Sequence, residues 1–268
     1  MGLFGTGFSP LLGIDIGASA IKLVEVRPAG RGWRLLRSAL GPLPEGAVGE
    51  GQIKRPDSVA DVLKTMLPQG RLATRRAALS LQGSSVITKR ITVPRMSELD
   101  MEDQIGLEAE EHIPFDLDDM RLDFQILNPQ PTSPGVAPEN PGTMDVLLAA
   151  CKRDVVDAQA DVARRAGLNP VLVDPGVLAA GNAWKTLCLP PRSPTPPPAM
   201  EALLSIGHGL SNLLILQQGL PDYSRDLPFG GRLLSDDGTP AAPASDSAMV
   251  AAFLERLGDE MEQALTLF

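Results

Sequence analysis

The residue types best suited to chemistry lie near the start of the chain, in the stretch that contains Asp15, Gly17, Ser19 and Lys22. Asp15 ends an otherwise apolar run, where its carboxylate is suited to hold a water molecule on Mg²⁺. Gly17 has no Cβ, so backbone N–H groups can approach a phosphate closely. A tight hairpin in which Asp15 stabilises its own turn would use the same residues. The stretch alone leaves both interpretations open.

Two β-strands must position this turn. Runs rich in Ile, Leu and Val occupy Leu11–Ile16 and Ile21–Val26, on either side of the glycine, and this pattern predicts a β-hairpin. A similar pattern recurs at Leu203–Gly207 and Leu213–Leu216, with the turn glycines aligned. We therefore predict two duplicated lobes that face each other across a cleft, with the phosphates of a nucleotide between the two turns.

The composition excludes nucleic acid as a partner. The 268 residues suffice for one large domain or two compact ones, and 43% of them are apolar. With 4% aromatic residues and a formal net charge of −9, the chain lacks the basic, stacking surface of a nucleic-acid-binding protein. Cys151 and Cys188 have no metal-site spacing, and Cys151 is expected to be a buried small hydrophobe. No signal peptide or membrane-spanning run is recognisable, which predicts a cytosolic protein.

Apolar spacing predicts three amphipathic helices. One covers residues 59–67 and has a continuous apolar face. A second, at 98–112, is strongly acidic, buries Leu99, and carries charges more typical of a solvated face than of a metal site. The last helix has an apolar seam that includes Leu254 and needs a partner surface.

The paired hairpins resemble the two phosphate loops of the actin-like ATPase superfamily. Residues 15–22 match the first loop, residues 207–211 match the second in weaker form, and residues 174–181 match the crossover segment where the lobes pack closely. The resemblance implies an α/β fold of actin-like (ribonuclease H-like) duplicated lobes. It also implies an ATP site, a water-bridged Mg²⁺ held by Asp15, and a role for Asp174 in orienting metal or water. The implied phosphate contacts are Asp15, Gly17, Ala18, Ser19, Lys22, Gly207, Gly209 and Ser211.

Further motifs, in the same order along the chain, are similar to those of the type IV pilus assembly PilM family. They are Gly13–Val26, Ile91–Met96, Glu108–Phe115, Leu122–Phe124 and Arg225–Gly231. This resemblance implies a cytoplasmic, FtsA-like adaptor that binds the N-terminal cytoplasmic peptide of a PilN-like inner-membrane protein. It places the chain at the inner membrane through that partner, with other pilus platform proteins or a second copy as further partners.

The family pattern also implies an inserted α+β subdomain. The predicted organisation is a flexible leader at 1–10, a first lobe at 11–75 and 155–189, an inserted subdomain at 76–154, a proline-rich linker at 190–200 and an incomplete second lobe at 201–268. We expect an extended peptide to lie in a groove between the first lobe and the inserted subdomain.

Two departures from the superfamily pattern weaken the predicted nucleotide site. Ser205 stands where the second loop carries Asp, and a serine has no negative charge to hold the water shell of Mg²⁺. The sequence also reaches Phe268 without a Gly-Gly-Gly turn of the kind that holds adenosine. We therefore expect a truncated or degenerate second lobe and weak nucleotide binding.

Two functions from different classes compete. The first is the structural adaptor, at most a weak ATPase, with no catalytic residue assigned. The second is an ATP-dependent phosphotransferase of the sugar or acetate kinase type, in which Asp174 is the candidate base. The missing adenosine turn favours the adaptor.

Overall fold

The computed structural model describes residues 10–30, 32–67, 72–83, 86–127, 142–188, 199–234 and 247–266. The predicted leader up to residue 9 and most of the proline-rich linker lie outside these residues. The described strands are β1 (Leu11–Ile16), β2 (Ala20–Ala29), β3 (Gly32–Pro42), β4 (Val48–Gly49), β5 (Gln52–Ile53), β6 (Arg76–Leu81), β7 (Val86–Pro94), β8 (Met120–Ile126), β9 (Thr143–Lys152), β10 (Asn169–Pro175), β11 (Met200–Ile206), β12 (Ser211–Gln217) and β13 (Leu220–Leu227). The α-helices are α1 (Pro56–Met66), α2 (Glu98–Glu110), α3 (Arg153–Arg165), α4 (Gly176–Ala183) and α5 (Ser247–Thr266).

The first lobe is built on a five-stranded sheet in the order β10-β6-β1-β2-β3. β1 and β2 are antiparallel, whereas β1 and β6 are parallel. β6 is also parallel to β10. Leu12, Ile14 and Ile16 alternate along β1 and pack into one core with residues of α1 and α3. The predicted hairpin is confirmed. Because β1, β6 and β10 are parallel, their carboxyl ends lie at one edge of the sheet.

β6 belongs to this central sheet, where it lies between β10 and β1. The predicted start of the insertion at residue 76 is therefore too early in the sequence, since Arg76–Leu81 is part of the first lobe. The apolar alternation of β6 is that of any half-buried strand and does not reveal which sheet the strand joins. The described part of the insertion starts with β7, and α3, which packs in the first lobe, begins at Arg153 rather than at residue 155.

The inserted subdomain is a three-stranded antiparallel sheet, in the order β7-β9-β8, with α2 packed on one face. Within α2, Met101 and Ala109 are fully buried against the sheet, whereas Leu99 is 69% exposed. The prediction that Leu99 faces inward is wrong. Two residues along an α-helix turn through about 200°, so Leu99 and Met101 lie on opposite sides.

The second lobe is an antiparallel sheet, β11-β12-β13, with α5 on one face. β12 is buried on both faces: Leu213 packs in the cluster that contains α5, and Leu214 packs in the cluster that contains α4. Phe253 of α5 is buried, and its ring lies 5.7 Å from that of Phe229. Leu257, Met261 and Ala264 of the predicted seam pack in the same cluster. Leu254 is the exception: it is 56% exposed, and the neighbouring Phe253, about 100° away around the helix, is buried instead.

α4 connects the lobes and packs closely on the second sheet. A Cβ built on Gly181 would lie 2.7 Å from Leu214 Cδ2, which confirms that the crossover segment needs small side chains. Ion pairs of Arg90, on β7, also join the inserted subdomain to the second lobe. Its guanidinium lies 2.7 Å from Asp145 Oδ2 in the inserted sheet and 2.8 Å from Asp222 Oδ1 in the second lobe.

Candidate functional site

The turn between β1 and β2 holds the first group of candidate residues. The Gly17 N–H donates to the Ala20 carbonyl oxygen over 3.0 Å, which closes the turn around Ser19. Asp15 and Lys22 face each other across the hairpin, and Lys22 Nζ lies 2.8 Å from Asp15 Oδ2. The Lys22 side chain is 59% exposed. The predicted residues of the first loop are thus brought together, with one cation open to solvent.

Two side chains that sequence analysis missed complete the surroundings of Asp15. Ser80 Oγ donates to Asp15 Oδ1 over 2.6 Å, and Gln82 Nε2 donates to the same oxygen over 2.8 Å. Both residues are at the carboxyl end of β6, which lies parallel beside β1. The sequence does show two polar residues, Ser80 and Gln82, at the end of an apolar strand. Their contact with Asp15 can be predicted only if the order of strands in the sheet is known.

The second turn repeats the first. The Gly207 N–H donates to the Leu210 carbonyl oxygen over 3.1 Å, the counterpart of the bond that closes the first turn. A Cβ built on Gly209 would lie 3.7 Å from Ala18 Cβ, so the two turns approach to van der Waals distance across the cleft. The predicted repeat is confirmed. Ala18 and Gly209 lie where the lobes meet, and Gly207 belongs to the same second turn.

Ser211 is not open to the cleft. It is fully buried, and its hydroxyl donates to the Phe229 carbonyl oxygen over 2.8 Å. A serine hydroxyl has one proton, so no donor remains for a phosphate. The predicted phosphate contact of Ser211 is therefore corrected: the side chain joins β12 to the segment that follows β13.

The glycines of the Arg225–Gly231 motif pack on the backbone of the second turn. The Gly231 N–H donates to the Gly207 carbonyl oxygen over 2.8 Å. A Cβ on Gly230 would lie 2.4 Å from the same oxygen, a distance at which no side chain fits. The motif therefore fixes the second turn, a role that the sequence alone did not reveal.

Asp174 lies at the end of β10, two strands away from Asp15. It is in register with Ser80 of β6, and strands about 4.8 Å apart place it about 10 Å from β1. Burial raises the pKa of the Asp174 carboxyl above its ordinary value, and the negative charge of Asp123 raises it further. Whether Asp174 orients metal or water stays a prediction.

The residues at the turns fit a phosphate group better than a metal ion. Asp15 already accepts hydrogen bonds on both oxygens, and the equivalent position in the second lobe is Ser205. Among the described residues, no group of three His, Cys, Asp or Glu side chains is placed to hold a metal. A phosphate, in contrast, finds the exposed ammonium group of Lys22 and two glycine-bearing turns.

A groove lies between the edge of the central sheet and the inserted subdomain. It encloses about 320 Å³ and has a mainly apolar lining, to which β9 contributes Leu147, Ala149 and Cys151 and β10 contributes Leu172. Burial raises the pKa of the Cys151 thiol to about 11, so that it is an apolar neutral group, as predicted. β10 and β8 each end a sheet, so one edge of each strand has no neighbouring strand among the described residues.

Two lobes built on equivalent hairpins, joined by a crossover helix of small residues and interrupted by an inserted subdomain, define an actin-like protein. None of the helices in the described part of the chain has the length and apolar character needed to cross a membrane. The family model for the type IV pilus assembly protein PilM matches residues 13–240, and the chain belongs to this family. It is thus a pilus assembly protein with an actin-like fold.

Several solved structures are similar to the chain. A PilM–PilN type IV pilus biogenesis complex matches with 27% sequence identity and a TM-score of 0.68, over 96% of this chain and 73% of that chain. The cytoplasmic domain of EpsL, an inner-membrane component of the type II secretion system of Vibrio cholerae, matches with 13% identity and a TM-score of 0.48, over 88% and 79%. The ethanolamine utilization protein EutJ from Carboxydothermus hydrogenoformans matches with 15% identity and a TM-score of 0.45, over 96% and 66%.

Proposed function

We propose that this chain is a cytoplasmic adaptor of the type IV pilus machine that binds the N-terminal cytoplasmic peptide of a PilN-like inner-membrane protein. Membership of the PilM family supports the pilus role. The similar structure of 27% identity is that of a PilM–PilN complex, which supports a PilN-like partner. In this proposal the chain stays at the inner membrane through that partner.

The groove between the first lobe and the inserted subdomain carries the proposal. An extended peptide binds well along an exposed strand edge, because backbone hydrogen bonds supply affinity and alternate side chains enter adjoining pockets. β10 and β8 present two such edges beside a mainly apolar cavity of about 320 Å³. That volume accommodates a few apolar side chains of a short peptide.

Calorimetric titration of the chain with a synthetic PilN-like N-terminal peptide tests the proposal. Ala149→Trp places a large side chain in the groove and is expected to weaken binding at least tenfold. Ser38→Trp, on the exposed surface of β3, is the matched control and should bind like the wild type. Failure of the wild type to bind the peptide, or equal binding by Ala149→Trp, would overturn the proposal.

We also propose that the two turns bind the phosphates of a nucleotide such as ATP, with Lys22 as the cation that meets them. Lys22 must then release Asp15, its present partner at 2.8 Å. Mg²⁺ has a poor fit even then, because Asp15 still accepts hydrogen bonds from Ser80 and Gln82 on Oδ1 and Ser205 adds no second negative charge, so no step depends on it. Ser211 is omitted from this site because its hydroxyl proton is used within the second lobe.

The phosphotransferase alternative has no structural observation in its favour. Its candidate base, Asp174, lines the groove and is separated from β1 and its turn by β6. A base must come within hydrogen-bond distance of the hydroxyl that attacks the phosphate. The adaptor therefore remains the function that the geometry supports best.

A further inference from the structure

The groove between the first lobe and the inserted subdomain carries two carboxylates on otherwise apolar surroundings. Asp123 enters its lining from β8, and Asp174 enters from β10. Leu81 of β6, Leu147 of β9 and other apolar residues form most of the remainder. The two carboxylates therefore come from two different sheets and meet at one cavity.

The carboxylate of Asp174 lies in the groove without a compensating donor or cation among the described residues. It is half-buried, and no hydrogen bond to its carboxylate is present among the described residues. Burial raises its pKa first, and the charge of Asp123 adds to the effect, so the ionised form is disfavoured in the free protein. Asp123 accepts a hydrogen bond from the Phe124 N–H over 2.8 Å, which does not neutralise its charge.

The basic residue nearest along β8 does not compensate this pair. Arg121 also lines the groove, on the same strand face as Asp123. Its guanidinium, however, lies 3.7 Å from Asp157 Oδ1 on α3. The groove therefore has a negative centre at Asp123 and Asp174 and a basic residue, already paired, at one end.

We infer that this groove selects an extended peptide with one basic side chain, Lys or Arg, seated between Asp123 and Asp174 and flanked by uncharged residues. The inference rests on the proposed peptide-binding function and names the chemistry that the groove recognises. Side chains on one face of an extended peptide recur about every 6.8 Å, as do Arg121, Asp123 and Gln125 along β8. A basic residue opposite Asp123 therefore places its neighbours two positions away opposite Arg121 and Gln125. Of these three residues only Asp123 carries a negative charge, so it sets the position of the basic side chain along the strand.

A double-mutant cycle tests this inference on the full chain. The ligand is the synthetic PilN-like N-terminal peptide, and variants of it replace each Lys or Arg in turn with the uncharged norleucine. The proteins are the wild type, the double variant Asp123→Asn/Asp174→Asn, and the control Asp61→Asn on the exposed side of α1. We expect one norleucine replacement to weaken wild-type and control binding at least tenfold and to leave binding by the double variant unchanged.

The outcomes separate the inference from the function on which it rests. Norleucine replacements that weaken the wild type and the double variant equally would overturn the inference, provided that Ala149→Trp still blocks the parent peptide. No binding of the parent peptide, or binding that Ala149→Trp leaves intact, would overturn the proposed function and the inference with it. Thermal unfolding of the double variant is measured in parallel. Its Tm should equal or exceed that of the wild type, since Asp174→Asn removes a carboxylate whose ionised form burial disfavours.

Discussion

At the scale of single residues, Asp15 organises the hydrogen bonds around the first turn. It accepts hydrogen bonds from Lys22, Ser80 and Gln82, so a carboxylate at the end of an apolar strand is fully compensated without a ligand. Lys22 is the member of this group that solvent and ligands can reach, because its side chain is 59% exposed. An arriving phosphate would compete with Asp15 for the Lys22 ammonium group.

The residue-scale prediction is that Lys22→Met weakens ATP binding at least tenfold. The variant removes the side-chain cation that the structure places at the first turn and retains the length of the side chain. Lys64→Met is the matched control, because Lys64 is also exposed and also pairs with a carboxylate, Asp61, at 3.6 Å. Fluorescence titration with a labelled ATP analogue measures both affinities. Equal affinities of the two variants, or no binding by the wild type, would contradict the proposed phosphate site.

At the scale of elements, the contact between α4 and β12 holds the lobes together. Gly181 leaves no room for a Cβ beside Leu214, which is fully buried at the centre of the second sheet. Overpacking of a buried contact costs about 1–3 kcal/mol. We expect Gly181→Val to lower the free energy of unfolding by that amount, measured by urea denaturation.

Gly258→Val on α5 is the control for this prediction. Gly258 is also a helical glycine, but a Cβ built on it meets nothing within 4 Å. The two variants share the change in helix propensity, so their difference isolates the packing at Leu214. An equal loss of stability in both would show that the interlobe contact is not the cause.

The sequence predicts individual strands and turns better than it predicts which of them lie next to each other in the fold. The spacing of apolar residues around Gly17 predicts the hairpin, and its echo around Gly207 predicts the second one. The contacts of Ser80 and Gln82 with Asp15 could not be predicted, because they depend on the order of strands in the sheet, which no local sequence pattern encodes. Leu99 shows another limit, since a hydrophobic residue in a helix can be exposed when its phase is wrong for the sheet beneath it.

At the scale of the whole molecule, the inserted subdomain is tied to both lobes. Arg90 joins it to the second lobe through Asp222, and Asp145 holds the same guanidinium from within the inserted sheet. Burial on its own would raise the pKa of Asp145. Hydrogen bonds from Arg90 and Thr92, together with the positive charge of Arg90, outweigh burial and hold this pKa below its ordinary value.

The sign of the pH effect follows from this lowered pKa. A carboxyl whose pKa is lower in the folded than in the unfolded state adds stability above its unfolded pKa, and that stability is lost as the pH falls through the folded pKa. Arg90→Met should cost about 2 kcal/mol near neutral pH and move acid unfolding to higher pH. Circular dichroism during acid titration measures the shift. Arg256→Met, which removes a pair within one helix, should not move it, and an identical shift in both variants would contradict the assignment.

The groove lies at the boundary of the first lobe and the inserted subdomain, so a peptide bound there touches both. Its lining draws on β6, β8, β9, β10, α3 and α4, which no single stretch of sequence contains. The position of Asp174 opposite Asp123 could not be predicted for the same reason. It requires that β10 end the central sheet and that the insertion fold back over that edge.

Hydrogen–deuterium exchange on the full chain, with and without the PilN-like N-terminal peptide, tests the central claim most directly. An extended peptide that adds to an exposed strand edge takes up backbone N–H groups there and slows their exchange. The adaptor account predicts new protection in Met120–Ile126 and Asn169–Pro175, with the acidic helix Glu98–Glu110 unchanged. Peptide binding that protects only segments outside these two strands would contradict it.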